Sequence, residues 1–252
     1  MTSIVDYPPI IFLTSFIVLL LSAYLGAFWR QRRGPLKEED KADHSIIEGT
    51  ALTLLSLLIG FTFSMAMSRY EQRKNYEEAE ANAIGTEYVR AGLLPDAEAA
   101  KVREDLRSYI DQRVLFYTTR DGQQLQRIDG ETSRLQKDLW SVVQARAVTQ
   151  PSTLTSLAAA GMNDVLNSEG YTQAAWWNRI PTEAWVLLAA IAIGATLLIG
   201  NGAHRPSSLF LVMSLGASLC FFLIADIDSP RTGLIRVQPE NLIRLSGSLR
   251  AH

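Results

Sequence analysis

Four stretches of the 252-residue chain carry no charged side chain: residues 10–29, 49–68, 184–203 and 207–225. Each is about 20 residues long, enough for a helix to cross a hydrocarbon core of ~30 Å. Between the second and third lies a strongly polar segment, residues 69–178, which pulls the mean hydropathy of the whole chain back to +0.07. This distribution excludes a single soluble enzyme domain, a disulfide scaffold and a β-barrel. It predicts an all-α membrane protein with four transmembrane helices near 10–29, 46–68, 182–201 and 207–226. Residues 1–9 hold no Lys or Arg, so the first stretch lacks the basic flank of a cleaved signal peptide and is expected to stay as an anchor.

The punctuation between the stretches sets the domain plan. Pro8-Pro9 precede the first span, and Trp29, Arg30, Arg32 and Arg33 close it at the interface. Residues 30–45 hold five basic and four acidic residues with Gly34-Pro35, and read as a short solvated loop. From Ile46 no breaker occurs before Gly92, so the second helix is expected to run about 45 residues, ~65 Å, leaving the bilayer and continuing into water. Gly92 and Pro95 end it, with Asp96 as N-cap of the next helix. Val102, Leu106, Tyr109, Ile110, Val114 and Tyr117 form one helical stripe, and Leu135, Leu139, Val142 and Val143 another. A third segment after Pro151 carries Leu154, Leu157, Ala158, Val165 and Leu166. The plan is a first hairpin over 1–68, a helical extramembrane domain over 69–180, a second hairpin over 181–226, and an irregular tail over 227–252 with a short helix from Glu240. Trp176, Trp177 and Trp185 around Pro181 read as an interfacial aromatic belt.

Nothing in the chain announces catalysis. His44, His204 and His252 stand in loops and at the terminus without Cys, His or acidic partners at ligand spacing, so no metal, cofactor or enzymatic activity is expected. No HExxH pattern, phosphate loop or GxSxG elbow occurs. The net charge of −2 gives no basic excess for nucleic acid, and the lone Cys220, inside the fourth apolar stretch, reads as a core residue.

The second span is the most informative element. Ser56, Gly60, Ser64 and Ser68 recur every four residues, a spacing that lets helices approach closely in lipid. Ser56 and Gly60 are the packing candidates. Phe61 and Met65, with Ser64 and Ser68, suit a pore helix whose apolar constriction gates by dewetting. Beyond Ser68, Arg69, Arg73, Glu77 and Glu80 are candidates for a hydrated vestibule. Its charges nearly cancel, with four basic and five acidic residues between 69 and 91.

Gly60-Phe61, Ala66, Arg69-Tyr70-Glu71, Arg73-Lys74 and Asn82 resemble the second-helix signature of bestrophins, with a one-residue offset. Ile224, Asp226-Ile227-Asp228, Pro230 and Gly233 resemble the segment that follows their last span. GFTFSMAMSRYEQRK and EANAIGTEYVRAGLLP are similar to the bacterial bestrophin-like family. The resemblance implies an oligomeric channel, pentameric and mostly anion-conducting, with the second helix lining the pore. It implies the lipid bilayer, further copies of the chain and small inorganic ions as partners. The acidic cluster that binds calcium in animal bestrophins is thinned here to Asp226 and Asp228, which argues against a calcium clasp.

A membrane-anchored scaffold or signalling module, whose helical domain binds a protein partner, stays open as the alternative. The expected location is the cell membrane, multi-pass, and the inner membrane in a Gram-negative source. Orientation divides the two lines of reasoning. The basic loop 30–45 places the 69–180 domain on the periplasmic side and is slightly preferred, whereas the resemblance implies a cytosolic domain.

Overall fold

The computed structural model describes residues 7–34, 38–203 and 208–251. Eight α-helices follow one another among them: α1 Pro8–Arg33, α2 Glu38–Arg90, α3 Asp96–Thr118, α4 Gly122–Thr149, α5 Thr153–Trp177, α6 Thr182–Gly202, α7 Ser208–Asp228 and α8 Glu240–Arg250. No strand occurs among the described residues. The chain divides into two compact units. One comprises Met1–Tyr70 with Arg179–Arg236, and the other Glu71–Asn178 with Val237–His252. The boundary falls inside α2, which supplies a helix to each.

The helix ends follow local chemistry. α2 begins at Glu38, eight residues before Ile46. Residues 30–33 and 38–45, expected as part of a short solvated loop, are helical and extend α1 and α2. Asp96 is the first helical residue and not the cap, a place taken by Pro95, whose fixed φ suits a helix start. Asp121 caps α4 by accepting from Gln123 N at 3.1 Å. Ser152 and Thr155 form a reciprocal capping box on α5.

The membrane-spanning unit holds the four apolar helices α1, the first part of α2, α6 and α7. Its core joins Leu19, Leu55, Leu188, Ala192, Ala195 and Phe221. α1 and α6 meet at backbone range: a methyl group built on Gly26 would overlap the Leu197 carbonyl oxygen, and one on Gly200 the Ala23 carbonyl oxygen. This is the close approach that small residues permit where lipid supplies no hydrophobic drive between helices. Within this unit the close-packing pair is thus Gly26–Gly200.

The helical unit gathers the C-terminal part of α2 with α3, α4, α5 and α8. Val102, Leu106, Tyr109, Ile110 and Tyr117 of α3 are buried, as are Leu135, Leu139 and Val143 of α4 and Ala158, Met162 and Val165 of α5. Leu154 and Leu157 stay exposed. Trp176 belongs to this core rather than to an interfacial belt, with ring centroids 5.0 Å from Phe116 and 5.4 Å from Tyr117. α5 runs helically to Trp177 and thereby turns Trp176 inward, while Trp177 is exposed.

Candidate functional site

In the membrane-spanning unit one face of α2 is engaged and the opposite face is open. Thr62 and Ala66 are buried, and Ala66 packs with Ile180, Ile224 and Ile227. On the other side Phe61 is 62% exposed and Met65 40% exposed, and Ser56, Ser64 and Ser68 are exposed as well. Among the described residues no atom lies within 4 Å of a Cβ built on Gly60, its own helix turn aside. The structure therefore places Ser56, Gly60, Phe61, Ser64, Met65 and Ser68 together on one surface that no other described residue covers. That surface is apolar at Leu57, Phe61 and Met65 and hydroxylated at Ser64 and Ser68.

The four vestibule candidates behave differently. Arg69 is half-buried, and Arg73, Glu77 and Glu80 are buried inside the helical unit. Arg73 donates from Nε to the Ala175 carbonyl at 3.3 Å. Glu77 caps α8, accepting from Leu242 N at 3.0 Å and from Asn241 Nδ2 at 2.6 Å. Its negative charge sits at a helix N-terminus, where the backbone amides and the helix dipole favour it. Glu80 pairs with Arg113 of α3, and its second oxygen accepts from Thr172 at 3.1 Å and from the Tyr117 hydroxyl at 3.4 Å.

This buried network is internally balanced. Burial opposes the Arg113 charge, but Glu80, Tyr109 and Glu169 outweigh it and hold the guanidinium above its ordinary range. Arg113 Nη1 also lies 3.7 Å from Glu169, and its guanidinium stacks 4.5 Å above the Phe116 ring. Burial, with the Glu80 charge, raises Tyr109 and Tyr117 so that both hydroxyls stay protonated. These charges are fold-holding contacts within the unit, not free groups on a wet surface. Beyond Ser68 the exposed Gln72, Asn75, Ala79, Asn82 and Thr86 form one uncharged line along α2, and the exposed Glu71, Lys74 and Glu78 flank it.

At the end of α7 the two aspartates are held by protein donors. Asp226 accepts from Leu234 N at 2.7 Å and Ile235 N at 2.8 Å, which folds the following turn back onto the helix end. A side chain at Gly233 would overlap the Asp226 carbonyl oxygen. Asp228 accepts from Arg179 Nε at 2.9 Å and from Ile180 N at 3.2 Å. The pair thus ties residues 229–235 and the start of the third span to α7. Near the other hairpin, His44 Nε2 lies 3.2 Å from the Leu198 carbonyl and 3.9 Å from Glu48. His204 and His252 lie outside the described residues.

Sequence reasoning identified the open face but not the buried charges. The signal for them stood on α3, where Arg113 interrupts the apolar stripe between Tyr109 and Tyr117. A cation at such a position calls for an inward carboxylate.

Four apolar helices and an all-helical unit define a multi-pass membrane protein. The sequence model of the bestrophin-like domain matches residues 18–242, and the chain belongs to that family. Among solved structures, a bacterial bestrophin homolog from Klebsiella pneumoniae aligns at 14% identity over 93% of this chain and 98% of that one, with a TM-score of 0.64. Two point variants of a homolog from the same organism align at 13% identity (95% and 98% covered, TM-score 0.65) and at 12% identity (95% and 98% covered, TM-score 0.67). At such identity the likeness is one of fold. No curated protein matches.

Proposed function

We propose that the chain assembles into a homo-oligomeric ion channel, with the open face of α2 turned to the central axis. The observation that carries this reading is that face itself. Phe61 and Met65 are large, apolar and uncovered, and Gly60 before them leaves room for a neighbouring backbone. Bulky apolar side chains around an axis empty a narrow passage of water and hold it shut. Phe61 and Met65 form the constriction in this reading, with Ser64 and Ser68 as the polar groups that border it. For the helical unit, the exposed neutral residues Gln72, Asn75, Asn82 and Thr86 border the hydrated passage, and the buried Arg73, Glu77 and Glu80 brace it from behind.

The pentamer and the preference for anions follow from the resemblance to bestrophins and are proposed on that ground. The site of action is the cell membrane. Purified protein reconstituted into planar bilayers tests the reading in chloride and potassium gradients. Phe61→Ala combined with Met65→Ala is expected to raise conductance or open probability. Wild type and double variant both silent in both gradients would transfer the assignment to a membrane-anchored scaffold, whose helical unit binds a protein partner.

A further inference from the structure

Glu77, Glu80 and Glu87 all lie on the buried side of α2, and two of the three have donors. Glu87 is 0% exposed and neither of its carboxylate oxygens has a hydrogen-bond partner among the described residues. An ionised carboxylate in such a place lacks both water and a donor, whereas the protonated acid is far cheaper to bury. α5 faces it with Gly161, where a methyl group would overlap both Glu87 Oε2 and Arg90 Nη1. Gly161 and Arg90 also line a cavity of about 270 Å³, together with Asn82, Thr86 and Asp164. The charged groups that act on Glu87 are Arg90 on its own helix and Asp164 on α5. From α3, Arg103 and Arg107 reach the same turn but bond to Tyr88, at its carbonyl and its hydroxyl.

We propose that Glu87 is a proton-binding site that latches α5 to α2. Protonated, its side chain fits dry behind Gly161. Ionised, it has to reach Arg90 and the water of the adjoining cavity, and that movement loosens the α2–α5 contact beside Asn82 and Thr86. Because these two residues belong to the face assigned to the passage, proton release also alters conduction, a step that rests on the channel reading.

Hydrogen exchange on the full-length protein tests the latch without any current. After correction for intrinsic rates, opening of peptides covering 80–90 and 156–168 is expected to rise up to about tenfold per pH unit and level off once the folded site itself ionises, near pH 8. Glu87→Gln, which keeps the shape of the protonated acid, is expected to flatten this dependence. Asp164→Asn, which removes a neighbouring negative charge, is expected to move the levelling point to lower pH. Wild type and Glu87→Gln with the same corrected pH dependence would overturn the proposal. Bilayer currents that respond to pH in wild type but not in Glu87→Gln support the coupling to conduction, and identical pH curves for conducting wild type and variant overturn it. Silent bilayers at every pH, with the exchange step intact, sink the channel reading and leave the latch standing.

Discussion

Replacing Glu80 by Gln separates a structural role from a vestibule role for the charges of α2. The substitution keeps the volume and removes only the charge. Arg113, itself 0% exposed, would then face Glu169 alone, at 3.7 Å. The Thr172 and Tyr117 hydroxyls, both donors to the second Glu80 oxygen, would meet either the new oxygen or the new NH2 group. Breaking a buried pair by removing one partner costs about 3–5 kcal/mol. Since Glu169 partly compensates and the amide oxygen still accepts one bond, about 3 kcal/mol is expected. For a unit of this size that is a fall of roughly 8–15 °C in melting temperature. Circular dichroism melting of the purified protein reads it directly. Adding Arg113→Met removes the stranded cation and is expected to recover about 1 kcal/mol or more, because apolar replacement of a buried pair is often neutral. A change within the ~0.5 kcal/mol of an ordinary surface substitution, together with altered ion selectivity, would refute the reasoning and return Glu80 to the vestibule.

Gly60→Leu should leave the subunit folded and weaken the oligomer in native mass spectrometry, while Gly26→Leu should prevent folding outright because the Leu197 carbonyl occupies that space. An unchanged assembly in the first case removes Gly60 from the interface. Glu77→Ala strips the cap from α8 and is expected to cost about 1–2 kcal/mol, read as early loss of exchange protection in residues 240–250. Burial raises the Glu87 carboxyl from its ordinary 4.5 to about 8, against the pull of Arg90. The folded state thus holds a proton that the unfolded chain has released. Stability is full below pH 4.5 and falls by up to about 1.4 kcal/mol per unit until pH 8, and Glu87→Gln should remove this slope in melting curves taken across the window. A reporter fused behind α8 decides orientation: activity outside supports the loop-charge argument, and activity inside supports the orientation implied by the bestrophin resemblance.

The spans were legible because absence of charge over about 20 residues is a signal that no packing detail can reverse. The helical stripes of α3 and α4 were legible for a related reason, since Leu106, Tyr109 and Leu139 repeat at the helical period and must be covered. Other features depend on groups far apart in sequence. The start of α2 was hidden because Glu38-Glu39-Asp40 suits a loop and a helix N-terminus equally well until α1 is known to run on to Arg33. Gly26 and Gly200 look like incidental glycines of apolar helices, and only their mutual approach makes them a crossing point.

The charges of α2 are the instructive failure. Read alone, Arg73, Glu77, Glu80 and Glu87 recur at spacings of four, three and seven, and a charged stripe on a helix that leaves the membrane is normally the solvated one. The uncharged Gln72, Asn75, Ala79, Asn82 and Thr86 recur just as regularly, and one of the two sets had to face inward. What decides is the partner set: Arg113 for Glu80, the α8 terminus for Glu77, the Ala175 carbonyl for Arg73. Those partners are 33 to 165 residues away in sequence, beyond the reach of a local pattern. The inversion has a consequence for conduction. If the open face of α2 lines the passage, the middle of its wall in the helical unit is neutral and hydrogen-bonding, and the exposed Glu71, Lys74 and Glu78 at its margin, not the buried stripe, are the charges placed to act on an ion. The neutral line itself offers hydroxyls and amides, which both donate and accept and so solvate either sign. Ions would then meet their steepest barrier at the desolvating contact with Phe61 and Met65, and exchanging charges on the buried stripe would change stability before it changed selectivity.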